Sequence, residues 1–308
     1  MSLKPLGFID LPEHRAQGAF DHADVHRARG LLYVAHTAND AVDVIDLRAG
    51  VCLRSITGLT GVAGSLVCEA QNLVFTSNRG EDSVGIFSPD AEDRLTRIRV
   101  GVRPNGLAYD PGRGILLCAN VGNPDVPGSQ TVTLVDVKRR SVRATVRVPG
   151  RTRWAVYDPG RAAFFVNIAD PACIVVVDAD RAQAAADRIE IPDRGPHGLE
   201  IDVFRRQLFC ACDGGKLVRL DSGSGAITGT LDLSGGPDVI FLNRTLQHLY
   251  VAIGDPGVID VIDTAAWKRL ETVRTEPGAH TLAIEETSRR VFAFLPKTHR
   301  AAVFEDRR

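Results

Sequence analysis

One phrase recurs seven times along this chain and leaves few folds open to it. Each copy runs from a small or polar residue into a short apolar run. A turn rich in Asp, Pro, Gly and Arg follows, then a second apolar run, then a strand of the pattern Val-x-Val-x-Asp. The clearest copies are Leu31-Leu32-Tyr33-Val34-Ala35 with Val42-Asp43-Val44-Ile45-Asp46, and Leu249-Tyr250-Val251-Ala252 with Ile259-Asp260-Val261-Ile262-Asp263. Each reads as a pair of β-strands.

Aligned on its turns, the repeat registers at Asp21, Ala63, Asn105, Arg153, His197, Asp238 and His280, with spacings of 42, 42, 48, 44, 41 and 42 residues. A period of about 40–45 residues with four strands per unit predicts a β-propeller, because no unit can bury both faces of its sheet alone and neighbours must stack around an axis. The length of 308 residues by itself suggests about two domains; the repeat argues instead for one closed all-β domain over residues 1–308. In the third unit, Gly106–Tyr109 is strand a, Ile115–Ala119 strand b, Thr131–Asp136 strand c and Val142–Val148 strand d. The a–b turn Asp110-Pro111-Gly112-Arg113-Gly114 is specified chemically, by a fixed φ at Pro and tolerance of positive φ at Gly. Continuous apolar runs in a and b fit strands covered on both faces. Alternation in d fits a half-exposed outer strand.

The seventh unit supplies strands a to c only, and Leu6-Gly7-Phe8-Ile9-Asp10-Leu11 precedes the first unit without a partner there. Residues 5–12 are therefore expected to complete the last blade and close the ring, removing an exposed edge.

With these phrases in hand, the chain resembles the YncE-like proteins of the YVTN-repeat group over essentially its whole length. The resemblance rests on Tyr33-Val34-Ala35, Asp43-Val44-Ile45-Asp46, Pro196-His197-Gly198-Leu199-Glu200-Ile201-Asp202, Gly235-Gly236-Pro237-Asp238 and Gly278-Ala279-His280-Thr281-Leu282-Ala283-Ile284. It implies a seven-bladed propeller and assigns no reaction. The last a–b turn, Glu285-Glu286-Thr287-Ser288, departs from the Asp-Pro-Lys-Thr form usual in that group.

Thirty-seven basic and 38 acidic residues give a net charge of −1, which offers no electrostatic footprint for nucleic acid or an anionic membrane. The start Met1–Gly7 lacks the apolar core of a signal peptide, and no run approaches the ~20 apolar residues of a membrane span, so a cytoplasmic location is the expectation. The six cysteines fall on or beside strands and read as small core residues. Cys210 and Cys212 form one Cys-x-Cys pair, with no second pair to complete a tetrahedral thiolate site.

Function in such a ring is expected where the innermost strands begin. There His197, Asp238, His280 and Asp21 or His22, from four consecutive blades, form an arc of imidazoles and carboxylates suited to one divalent metal ion, or to an acid–base pair with His197 and His280 as catalytic groups. Opposite them, Asn105 and Arg153, beside Trp154, suit a bidentate contact to the carboxylate or phosphate of a small anionic ligand. A second ring from the ends of the b strands adds His36, Asn78 and Asn120, with Arg79, as polar ligand contacts, and Ile168, Ile253 and Leu295 as an apolar wall. The same residues also fit plain solvated channel lining. His26 and His248 fall on the opposite face and are expected at the surface, while His14 falls in a linker. The long b–c connection 121–130 of the third unit is placed over the mouth as a lid, and Lys297 and His299 are expected near His280. No nucleophile elbow, phosphate loop or zinc-helix motif appears. The sequence thus reads as a receptor for a small polar molecule at the top of the channel, with metal-assisted, lactonase-like hydrolysis or elimination as its catalytic extension by analogy. A non-catalytic scaffold for a protein partner is the rival reading.

Overall fold

A computed structural model describes residues 3–184 and 188–307. Met1, Ser2, residues 185–187 and Arg308 lie outside the described residues, and with them the first two residues read above for a signal peptide. The strands gather into seven antiparallel sheets, each a blade. Blade 1 runs from inner to outer strand as Phe20–His26 (a), Leu31–His36 (b), Ala41–Asp46 (c) and Val51–Thr57 (d). Blades 2, 3, 5 and 6 repeat this order, and in blade 4 the outer strand is two short pieces, Gln183–Ala184 and Ile189–Glu190, both paired with Cys173–Asp178.

Blade 7 takes its strands from both ends of the chain. Strand β1 (Leu3–Asp10) pairs antiparallel with Arg300–Asp306, placing Leu3 opposite Asp306 and Asp10 opposite Arg300. Leu3, Ile9 and Leu11 are buried there, whereas Leu6 and Phe8 face outward.

The core follows from the repeat. Seven buried apolar clusters lie one at each interface between neighbouring blades, such as Phe164, Val166 and Ile168 against Leu117, Val132 and Leu134. The recurring aspartates do local work. The terminal Asp of strand c accepts two backbone N–H groups of the c–d turn, as Asp46 does from Arg48 and Ala49, and Asp263 from Ala265 and Ala266. The Asp closing strand a caps the a–b turn likewise, as Asp110 does for Gly112 and Arg113. In blade 7, Glu285 performs this capping toward Thr287 and Ser288, so the departing turn keeps the same chemistry.

His26 and His248 correct the sequence reading. Both are buried: His26 bonds Asn72 at 3.0 Å, and His248 bonds Asp306 at 2.6 Å in a buried group that Tyr250 joins at 2.8 Å. They lie on the expected face, but their rings reach sideways to the next blade instead of out to water. Among the described residues no helix is long and apolar enough to cross a membrane.

Candidate functional site

In blades 1 to 6 the a–b ladder slips at the start of strand a, for example between Phe20 and Ala23, Thr152 and Ala155, and Pro196 and Gly198. Such bulges release a residue from pairing and re-aim its side chain. Asp21 and His22, Ala63, Asn105, Arg153 and Trp154, His197 and Asp238 sit in these slips. The seven inner strands crowd together here, and glycine is required where they touch. A Cβ on Gly198 would stand 2.4 Å from the carbonyl oxygen of Asp238, and one on Gly106 would stand 2.3 Å from that of Arg153.

His197 is the centre of the upper mouth. Its Nδ1 lies 2.7 Å from Asp213 Oδ1 and its Nε2 3.0 Å from Asp238 Oδ1. Burial opposes charge on the ring, but the Asp238 and Asp213 carboxylates outweigh it and raise the pKa to about 9. The group is therefore an imidazolium clamped between two carboxylates, both N–H groups committed. Burial likewise works against charge on Asp238 and Asp213, yet His197 holds both carboxyls below their ordinary range. Arg153 Nη1 approaches His197 Nε2 at 3.0 Å while its Nη2 donates to Asp213 at 3.3 Å. With Nε2–H donated to Asp238, no lone pair is left for Arg153, so we read the first contact as two cations drawn together by the Asp213 carboxylate they share.

Around the ring, Asp21 Oδ1 bonds His22 Nδ1 at 2.6 Å and its other oxygen lies 3.4 Å from Arg79, which donates to Asn105 Oδ1 at 2.8 Å. The imidazole of His22, from blade 1, stacks on Trp154, from blade 4, with ring centroids 3.7 Å apart and planes 5° from parallel. This pair lies across the lumen. Below it opens a chamber of about 500 Å³ toward the face of the a–b turns, with Trp154 at its inner end.

The expected metal arc resolves differently. His197 and Asp238 meet, Asp21 and His22 bond each other, and His280 turns its Nδ1–H to the Gly278 carbonyl at 2.8 Å, while His280 and His22 both stand close enough to help hold the Asp238 carboxyl below its ordinary range. Among the described residues no three His, Cys, Asp or Glu donors converge as a metal-binding group, and both His197 nitrogens are engaged by carboxylates. The second ring is not lumen either. His36, Asn78 and Asn120 are fully buried and bond within their own blades, to Asp43, to Glu81 and Ser83, and to Thr131 and Thr133. Ile168, Ile253 and Leu295 belong to the interblade cores, not to a pocket wall. The b strands stand one layer back from the channel, so their ends face neighbouring blades. In the 121–130 connection, Ser129 is tied to Asn123 by hydrogen bonds of 2.8 and 2.9 Å. His299 faces His14, at 4.5 Å between ring centroids, and His14 faces His36 at 4.9 Å. The Cys210 and Cys212 sulfurs are 3.8 Å apart, and burial raises the Cys210 pKa, keeping it a thiol.

Sequence reasoning missed Asp213, which follows the b-strand end it stopped at, and the arginines Arg103 and Arg151. Both arginines lie two residues before the repeat register, at Asn105 and Arg153, an offset visible in the sequence. Burial, then the neighbouring guanidiniums of Arg153, Arg103 and Arg79, lower the Arg151 pKa.

No protein-family model and no curated protein matches the chain. Among solved structures, it is similar to a chain of Kuenenia stuttgartiensis hydrazine synthase, with a TM-score of 0.81 at 11% identity over 95% of this chain and 96% of that one. It is similar also to a chain of a mitotic checkpoint complex, with a TM-score of 0.81 at 11% identity over 98% of this chain and 91% of that one. At this identity the likeness shows the seven-bladed propeller fold alone.

Proposed function

We propose that this propeller, of YVTN-repeat type, is a receptor for a small carboxylate- or phosphate-bearing molecule at the upper mouth of its channel. The carrying observation is the gathering of Arg79, Arg103, Arg151 and Arg153 from blades 2 to 4, where partial burial first and then the other three guanidiniums lower the Arg151 pKa. Two of them, Arg103 and Arg151, make no ion pair among the described residues. An anion relieves that repulsion, and guanidinium forks suit its oxygens. The clamped His197 adds positive charge and rigidity. With both its N–H groups donated it has no lone pair for general base work, so binding is better supported than lactonase-like turnover. A protein-binding role has its own support in Leu6, Phe8, Val51 and Leu53, exposed on the outer strands of blades 7 and 1.

Thermal-shift screening of small mono- and dicarboxylates and phosphate esters tests the receptor reading. A ligand present at about a hundred times its Kd stabilises by about 2.7 kcal/mol. Arg151→Ala should weaken the best hit about tenfold, and Arg153→Lys, which keeps charge but loses the fork, by several-fold. Equal stabilisation of wild type and both variants by every hit removes the assignment.

A further inference from the structure

The chamber below the His22–Trp154 stack belongs to no part of the reading above. Its walls are apolar and aromatic, with Trp154, Tyr109, Tyr157 and Phe241 among them, and its charged groups are mainly acidic. Arg27 pairs with Glu69 and Glu286, and Arg244 with Glu200 and Glu286. Asp24 has no ion-pair partner; its oxygens accept only the N–H groups of Val25 at 2.7 Å and Val67 at 2.8 Å. Burial outweighs those two bonds and the attraction of the Arg27 guanidinium, which forms no ion pair with it, and pushes its pKa up to about 6. A second, independent observation points the same way. Ser65 lines the chamber, is 1% exposed, and its Oγ has no hydrogen-bond partner. A buried hydroxyl left unpaired costs about 1–3 kcal/mol unless water or a ligand satisfies it.

We propose that this chamber is a second ligand site, for a small organic ammonium compound, with Asp24 as its counter-ion and the Ser65 hydroxyl as a hydrogen-bond partner. The chamber volume of about 500 Å³ falls in the range of small-molecule sites, and aromatic faces favour cations. The site stands apart from the arginine mouth in both position and charge sign.

The chain has two tryptophans, Trp154 and Trp267. In a Trp267→Phe background, Trp154 alone reports on the lumen. Phenethylammonium should change its emission saturably, while the neutral isostere 2-phenylethanol should do so at least tenfold more weakly. Asp24→Asn should weaken the ammonium at least tenfold. Because that change also removes a backbone acceptor, Ser65→Ala serves as the second variant: its hydroxyl bonds nothing in the protein, so it should weaken the ammonium several-fold with a melting temperature no lower than the parent's. Equal responses to ammonium and alcohol, or unchanged ammonium affinity in Ser65→Ala and in folded Asp24→Asn, would overturn the site. A response confined to 3-phenylpropionate and lost in Arg153→Ala would place the signal at the upper mouth and equally overturn it.

Discussion

At the residue scale, buried charge is held by carboxylates of its own and the neighbouring blade, and pH should expose this. His197 has its folded pKa raised to about 9 against an ordinary value of 6.5. The stability it contributes is fully present below about 6.5 and is lost as pH rises toward 9, by roughly 3 kcal/mol for a shift of that size. Urea unfolding at pH 6, 7.5 and 9 should show that decline, and His197→Gln should flatten it. His14 acts in the opposite sense. Burial, then His36 and His299, lower its pKa, so its contribution is present above about 6.5 and is lost as pH falls below it. Gly198→Ala tests the crowding of the inner strands. The added Cβ meets backbone, 2.4 Å from the Asp238 carbonyl, and one of the blades must move. We expect a loss of about 1–3 kcal/mol, together with a fall in the His197 pKa measured by NMR titration, as Asp238 is displaced.

At the element scale, the closing strand matters most. β1 buries Leu3 and Ile9, and Leu11 follows it into the core. At roughly 1.5–3 kcal/mol for each large apolar side chain, deleting residues 1–12 removes a sizeable part of a typical 5–15 kcal/mol stability. It also bares the edge of Arg300–Asp306. The truncated chain should aggregate or melt far lower in differential scanning calorimetry; a monomer with unchanged melting would contradict this role. The milder change Ile9→Asp, at a position 4% exposed, should destabilise without removing backbone pairing. The fourth strand of blade 7 was legible because the repeat left one strand missing at one end and one unmatched at the other.

At the scale of the whole molecule, a ring has no privileged break. Leu3 lies opposite Asp306 in the closed blade, so a short linker can join the ends. A circular permutant opened within the exposed stretch Pro124–Gly128 should then fold, because no strand is cut. Matching circular dichroism and a melting temperature within a few degrees of the parent are the expected outcome. The two halves of the lumen should also respond oppositely to ligand charge. Added salt should weaken anion binding at the exposed arginine mouth more than ammonium binding in the recessed chamber, since screening acts most on exposed charge; isothermal titration at two ionic strengths measures this.

What the sequence determined by itself was everything that repeats. Blade number, strand order, capped turns and the height at which His197, Asp238, Asn105 and Arg153 enter the lumen all follow from local chemistry copied at a regular spacing. Distance and direction do not repeat, and only the tertiary structure decided them. Asp213 reaches His197 because a b–c turn folds back over its own blade, and His22 finds Trp154 because blades 1 and 4 face each other across the axis. His36, Asn78 and Asn120 share the register of a lumen ring yet are spent inside their sheets. The Asp24 and Ser65 chamber is lined by residues of all seven blades, which only the closed ring brings together. A periodic pattern specifies which residues share a level. Which of them touch depends on strand bulges, ring curvature and the partners buried charges find, and those are set by packing among blades far apart in the chain.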